Sequence, residues 1–485
     1  MNSIPVPIIG LIIAVAVLIF LVMRTKVHAL IAMLIAASIA GIIGGLSMDK
    51  TVSVISQGFG STLGSIGIVI GLGVMMGRIL EVSGAGEQIA FSLIRWLGQR
   101  KEEWAMAVTG YIVSIPIFVD SAFIILYPVT KALSKRSGRS LLTLGVALAG
   151  GLMVTHSTVP PTPGPLGVAA IFGVDIGSML LLGLGMAFPC VVGVVVYAQW
   201  LAKKYPDFTG TTLLDEELSL VQEKYEQEKE VQKLPSLTLS ILPILVPIFL
   251  IFFKAVASTI AQQPGNEGMA EQTFIQAIYF FGNPIIALAC STLLAVYTLV
   301  PHLDREATLG RLEEGLQSAG IILMVTGAGG ALGAVVRESG AGNQLAEQVA
   351  TLPFSPVMIP FVVATLVRLI QGSGTVAMIT AASISAPILA EIPGVNMLLA
   401  AQAAAIGAMF FSYFNDSLFW VVNRLMGIVD VRQQMAAWSV PTTVMWAIGG
   451  SIIAVLNLLV GTDGTLFDPL FPLVVGGIVV AIVRK

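Results

Sequence analysis

Thirteen stretches of the chain are almost wholly apolar, most of them between 14 and 25 residues long, and short polar segments separate them. An α-helix rises about 1.5 Å per residue, so roughly 20 such residues cross the hydrocarbon core of a bilayer. Backbone in lipid must satisfy its own N–H and C=O groups, which leaves the helix as the fold for runs of this kind. Charged residues make up only 11% of the 485, against about a quarter in soluble domains. That excludes an ordinary soluble enzyme, a disordered chain and a nucleic-acid binder. The chain reads as an all-α polytopic membrane protein, with the lipid bilayer as its first partner and no nucleic-acid partner.

Two runs do not behave as single crossings. The run at 105–129 is interrupted by Pro116 and Asp120, and the run at 354–390 is too long and is interrupted by Arg368 and by Gln371, Gly372, Ser373 and Gly374. Both read as re-entrant hairpins, which are tolerated at membrane depth where their bare backbone lines a protein cavity. Two further runs read as broken helices, one at Thr155 to Pro165 and one at Ser412 to Ser417. With the N-terminus outside, both hairpins returning to their side of entry and every other run crossing once, 21 of the 25 Lys and Arg face the cytoplasm. The exceptions are Lys50, Lys254, Arg337 and Arg368. This bias is the positive-inside signature, and it puts the C-terminus in the cytoplasm. No basic stretch precedes the first run and no small-residue cleavage site comes after it, so it reads as a retained span.

Residues 71–90 and 327–346 align without a gap at an offset of 256, with nine of twenty positions identical, among them Gly71/Gly327, Gly77/Gly333 and the run Ser83-Gly84-Ala85-Gly86 against Ser339-Gly340-Ala341-Gly342. In the topology above the two copies run in opposite directions. The chain is thus expected to hold an inverted-topology repeat with two re-entrant hairpins and two broken helices, an architecture of secondary transporters that bind substrate near the midplane. The division is 1–202 for the first repeat, 203–235 for a charged cytoplasmic linker, 236–461 for the second repeat and 462–485 for a C-terminal transmembrane helix.

Cys190 and Cys290 lie inside apolar runs, and His28, His156 and His302 are far apart. No HExxH, CxxC or GxxxxGK[ST] occurs, so no metal site, no cofactor and no catalytic residue is expected. There remain polar groups at membrane depth, each costly unless it does something. Asp120 in the first hairpin is a candidate to carry a proton, because a carboxyl taken out of water favours its protonated form. It could equally cap a half-helix. Asp416, in Asn415-Asp416-Ser417, has the same two readings. Ser373 and Thr375 at the second hairpin tip could offer hydroxyls and amides to an anion at a helix start. Arg368 is the one cation in that hairpin, able to neutralise an anionic substrate or Asp120, or to snorkel. His156 could join a proton relay or bond an interhelical partner. Ser121, Thr155, Ser157, Thr158, Asn415 and Ser417 complete the set of substrate-binding candidates, which also holds His156, Ser373, Thr375 and Asp416.

At these motifs the sequence resembles the gluconate permease family, the gluconate:proton symporters of the ion transporter superfamily. The likeness is carried by Thr155-His156 with Pro160-Pro161-x-Pro163-Gly164-Pro165, by Gly372-Ser373-x-Thr375-Val376-Ala377, by Asn415-Asp416, and by Asp120 where members usually have Glu. Thr162 stands where gluconate carriers often have His. The resemblance implies proton-coupled uptake of a sugar acid such as gluconate, or of a related small organic anion, by a homodimer. A glycerate, a sulfonate and a D-serine-like amino acid stay open as substrates, and Na⁺ as the coupling ion. A passive channel and an intramembrane enzyme are the rival classes, and no nucleophile with its base at workable spacing supports the latter.

Overall fold

The computed structural model describes residues 5–97, 101–205, 234–261, 268, 272–344, 354–461 and 464–484, and the linker at 206–233 lies outside them. The described residues form helices and no strand. In the first half these are α1 (Val6–Arg24), α2 (Ala29–Ile43), α3 (Met48–Val82), α4 (Ala85–Leu97), α5 (Glu102–Val113), α6 (Val119–Ser137), α7 (Leu141–Thr158), α8 (Pro163–Phe172) and α9 (Ile176–Lys204). The second half holds α10 (Leu237–Ala261), α11 (Thr273–Phe281), α12 (Pro284–Leu299), α13 (Arg305–Glu338), α14 (Ile359–Gln371), α15 (Gly374–Leu389), α16 (Met397–Gly407), α17 (Ser417–Leu425), α18 (Val440–Val460) and α19 (Phe467–Arg484). Among the described residues six helices are long and apolar enough to cross a membrane, or seven with α11 and α12 taken together.

The repeat is far longer than the twenty residues that reveal it in sequence. Adding 256 to the bounds of α2, α3, α7 and α9 gives 285–299, 304–338, 397–414 and 432–460, against α12 at 284–299, α13 at 305–338, α16 starting at 397 and α18 ending at 460. The ends of α3 and α13 match in conformation too. Both stop at a serine in the helical region and then a glycine with φ +73°, Gly84 and Gly340. These two long helices lie side by side and antiparallel, since Lys50 pairs with Glu338 at one end (2.9 Å) and Arg78 with Glu314 at the other (2.8 Å). Around them the halves exchange neighbours, with α2 packed on α13 and α12 packed on α3.

Each expected hairpin is present as a helix, a tight turn and a returning helix, α5–α6 in one half and α14–α15 in the other. The first hairpin rests its tip on α3 at Gly77, where any side chain would meet the Pro116 carbonyl. Both expected breaks are present as well. Residues 159–162, with a cis Pro160–Pro161 bond, separate α7 from α8, and 408–416 separate α16 from α17. One expected span differs. The run at 277–300 is bent by 67° between α11 and α12, because Gly282 ends one helix and Asn283, whose side chain accepts from the Ile285 amide, starts the next with Pro284 in its first turn. A helix stop thus meets a helix start, with no residue to carry the helix through.

Candidate functional site

Between the two hairpins, the end of α7 and the second break lies a cavity of about 200 Å³. Its wall holds Asp120 from α6, His156 and Ser157 from α7, Arg368 and Gln371 from α14, Ser373 and Thr375 from the second hairpin tip, and Asn415, Asp416 and Ser417 from the second break. Three helices begin there. The first residues of α6, α15 and α17 all line it, and each helix start carries unpaired amides and roughly half a positive charge. The start of α6 comes after Phe118, which offers no side-chain cap. The other two are capped loosely, by Ser373 to the Val376 amide and by Asp416 Oδ1 to the Leu418 amide, each at 3.4 Å. Three such ends facing one space make a ready seat for an anion.

Arg368 is 1% exposed and reaches Asp416, with Nη2 2.5 Å from Oδ2. Its Nε and Nη1 are buried with no hydrogen-bond partner among the described residues. Asp416 is well satisfied, since Ser412 Oγ also donates to Oδ2 and Oδ1 caps α17. Asp120 differs: its Oδ1 is buried with no hydrogen-bond partner, and no ion pair reaches it among the described residues. His156 Nδ1 is likewise buried without a partner, and its ring lies 6.0 Å from that of Phe118. The Asn415 amide is oriented by Nδ2 donating to the Leu369 carbonyl at 3.3 Å. Turning it over would bring Oδ1 against that carbonyl, so the oxygen stays directed elsewhere, and it too lacks a partner.

Nine of the residues singled out from sequence meet at this cavity, namely Asp120, His156, Ser157, Arg368, Ser373, Thr375, Asn415, Asp416 and Ser417. Three do not line it. Ser121 is one residue beyond Asp120 and so points about 100° around the helix. On α7 the cavity face is Met153, His156 and Ser157, an i, i+3, i+4 set that leaves Thr155 and Thr158 on other faces. Thr155 is fully buried, and Thr158 donates to the Val154 carbonyl (2.7 Å) while its own carbonyl accepts from Gln402 (3.1 Å). Gln371 is a wall residue that the sequence candidates do not include. Its signal is a polar residue three positions after Arg368, on the same helical face.

A family model described as GntP family permease matches residues 6–459. The chain is 66% identical over 475 residues to an uncharacterized permease of Haemophilus influenzae, covering 98% of this chain and 97% of that one. It is 34% identical over 446 residues to a gluconate permease of Pseudomonas aeruginosa, covering 91% and 95%. Among solved structures, MtrF of Neisseria gonorrhoeae, described as one of a class of antimetabolite efflux pumps, superposes with a TM-score of 0.61 at 12% identity, covering 96% of this chain and 98% of that one.

Proposed function

The chain belongs to the GntP family of permeases, and from that premise we propose that it is a proton-coupled symporter bringing gluconate or a related small hydroxylated carboxylate across the bacterial inner membrane. It is a multi-pass membrane transporter and not an enzyme. The observation that carries the finer reading is the charge balance of the cavity. Asp416 and Arg368 cancel, so with Asp120 ionised the fixed side-chain charge is −1 and opposes an anionic ligand. With Asp120 protonated it is zero, and the three helix starts and the free edge of Arg368 dominate. Proton and anion thus favour each other's binding, and the linkage is reciprocal. Asp416, already holding Arg368, Ser412 and a helix start, serves structure. His156 stands on the same wall as a second group able to hold a proton. Ser157, Ser373, Thr375, Asn415, Gln371 and Ser417 supply hydroxyls and amides to the hydroxylated chain of the substrate.

The sidedness belongs to the same proposal, with the N-terminus outside and the C-terminus in the cytoplasm. What supports it is the distribution of Lys and Arg, 21 of 25 of which fall on the cytoplasmic side in that topology. The resemblance extends the proposal to a homodimer, which cross-linking in native membranes tests.

Uptake of labelled gluconate into proteoliposomes, under an imposed pH gradient and with sodium present or absent, tests the mechanism. Concentrative uptake is expected to need the proton gradient alone, and Asp120→Asn is expected to lose accumulation while keeping exchange of bound substrate. Uptake that tracks a sodium gradient at constant pH would overturn proton coupling. Wild-type protein that ignores gluconate under every gradient would redirect the search to other small anions.

A further inference from the structure

The Arg368–Asp416 pair is held from outside the cavity. Ser412, four residues before Asp416 and fully buried, uses every polar group it has. Its amide donates to Thr442 Oγ1 (3.0 Å) and its carbonyl accepts from Ser439 Oγ (2.6 Å). Its hydroxyl accepts from Trp438 Nε1 (2.9 Å) and bonds Asp416 Oδ2. An indole N–H only donates. The Ser412 hydroxyl therefore receives from Trp438, and its single proton goes to Asp416. The direction of the whole chain is fixed, from Trp438 through Ser412 to the carboxylate that holds Arg368.

Trp438 and Ser439 belong to a π-helical turn, Met435–Ser439, that leads into α18. A π-turn adds a residue to the helical cycle and rotates the helix beyond it, and such turns gather at functional sites. Here it sets Trp438, Ser439 and Thr442, all fully buried, against the one stretch between α16 and α17 that has no helix of its own. None of Ser412, Trp438, Ser439 and Thr442 lines the cavity.

We propose that Trp438 and Ser412 are positioning residues of the anion site, acting through Asp416 to fix the guanidinium of Arg368 where an anionic substrate meets it. This rests on the reading of the cavity as the substrate site. It assigns to the π-turn a role in substrate affinity, although neither residue touches substrate.

The test is a set of uptake measurements on purified, reconstituted Trp438→Phe, Ser412→Ala and the double variant, with thermal stability read on the same samples. Trp438→Phe keeps an aromatic ring in the core and removes the donor together with part of the indole's volume, so the KM change and not the Tm is the diagnostic reading. It is expected to raise KM by about tenfold with maximal rate within twofold of wild type. Ser412→Ala raises KM at least as much, and the double variant matches Ser412→Ala because both cut one chain. Additive effects in the double variant, or a lowered Tm with KM unchanged, would overturn the proposal. If wild-type protein takes up neither gluconate nor any other small anion, the reading of the cavity falls instead, and the hydrogen-bond chain is judged by stability: Trp438→Phe and Arg368→Lys then lower Tm non-additively, and simple addition overturns it.

Discussion

Arg368 shows how much one side chain at membrane depth is asked to do. It is buried, it neutralises Asp416, and two of its three nitrogens are left without a partner at the cavity. Breaking a buried pair by removing one member costs about 3–5 kcal/mol, because the other charge stays behind. Arg368→Gln is therefore expected to lower thermal stability sharply in detergent. Arg368→Lys keeps the charge but loses the planar fork, so it is expected to leave the protein folded while KM for the anion rises on the order of ten- to a hundredfold. A Lys variant with wild-type KM would show that the guanidinium takes no part in binding. Asp120, His156 and Arg368 were legible in the sequence because an ionisable group inside an apolar run stands out by its cost. Ser121, Thr155 and Thr158 illustrate the limit of that signal, since nearness in sequence selects residues without regard to the face of the helix they occupy.

At the scale of elements, the second hairpin depends on two anchors of different kinds. Its tip turns at Gly372, with φ +85° and the Asn415 carbonyl directly beside the position a Cβ would take. An alanine there is strained by about 1–2 kcal/mol from its backbone alone, and its methyl pushes Asn415 off the cavity wall. Gly372→Ala is expected to reach the membrane in normal amount and to lose uptake, as membrane fractionation beside an uptake assay would show. Its base is anchored by Asp468, which is 2% exposed and accepts from the amides of Ser355 (3.3 Å) and Thr465 (2.8 Å). Asp468→Ala leaves the buried Ser355 amide unpaired, at about 1–3 kcal/mol, and hands the exposed Thr465 amide to water, whereas Asp468→Asn keeps an acceptor and is expected to lie close to wild type in Tm. Prolines, clustered glycines and polar or charged residues inside apolar runs made the hairpins and breaks readable in advance. The π-turn and the bend at Gly282 were not, because both arise inside runs whose apolarity satisfies a membrane whatever the local winding.

The molecule as a whole is two copies of one plan that have kept their helix ends and lost their side chains. Sequence reveals the repeat only at 71–90, where close helix contact holds the glycines in place, whereas helix bounds carry it from α2 to α9 and from α12 to α18. Lipid asks only that an outward residue be apolar, so identities drift while lengths persist. The cavity breaks the symmetry outright. At the same offset Asp120 answers to Val376, Arg368 to Ile112, Asp416 to Pro160 and Ser412 to His156, so one half supplies the group proposed to carry the proton and the other the fixed anion seat. Neither half is complete, and neither is self-sufficient in packing, because α2 lies on α13 and α12 on α3. The two halves should nonetheless reassemble, since the cut between them falls in the polar segment at 206–233 and leaves every described helix whole. Co-expressed fragments 1–205 and 234–485 are expected to co-purify and restore gluconate uptake, while either fragment alone is degraded or inactive. Uptake by one fragment alone would mean that the halves are independent units, and the exchanged packing of α2 and α12 would then contribute nothing to function.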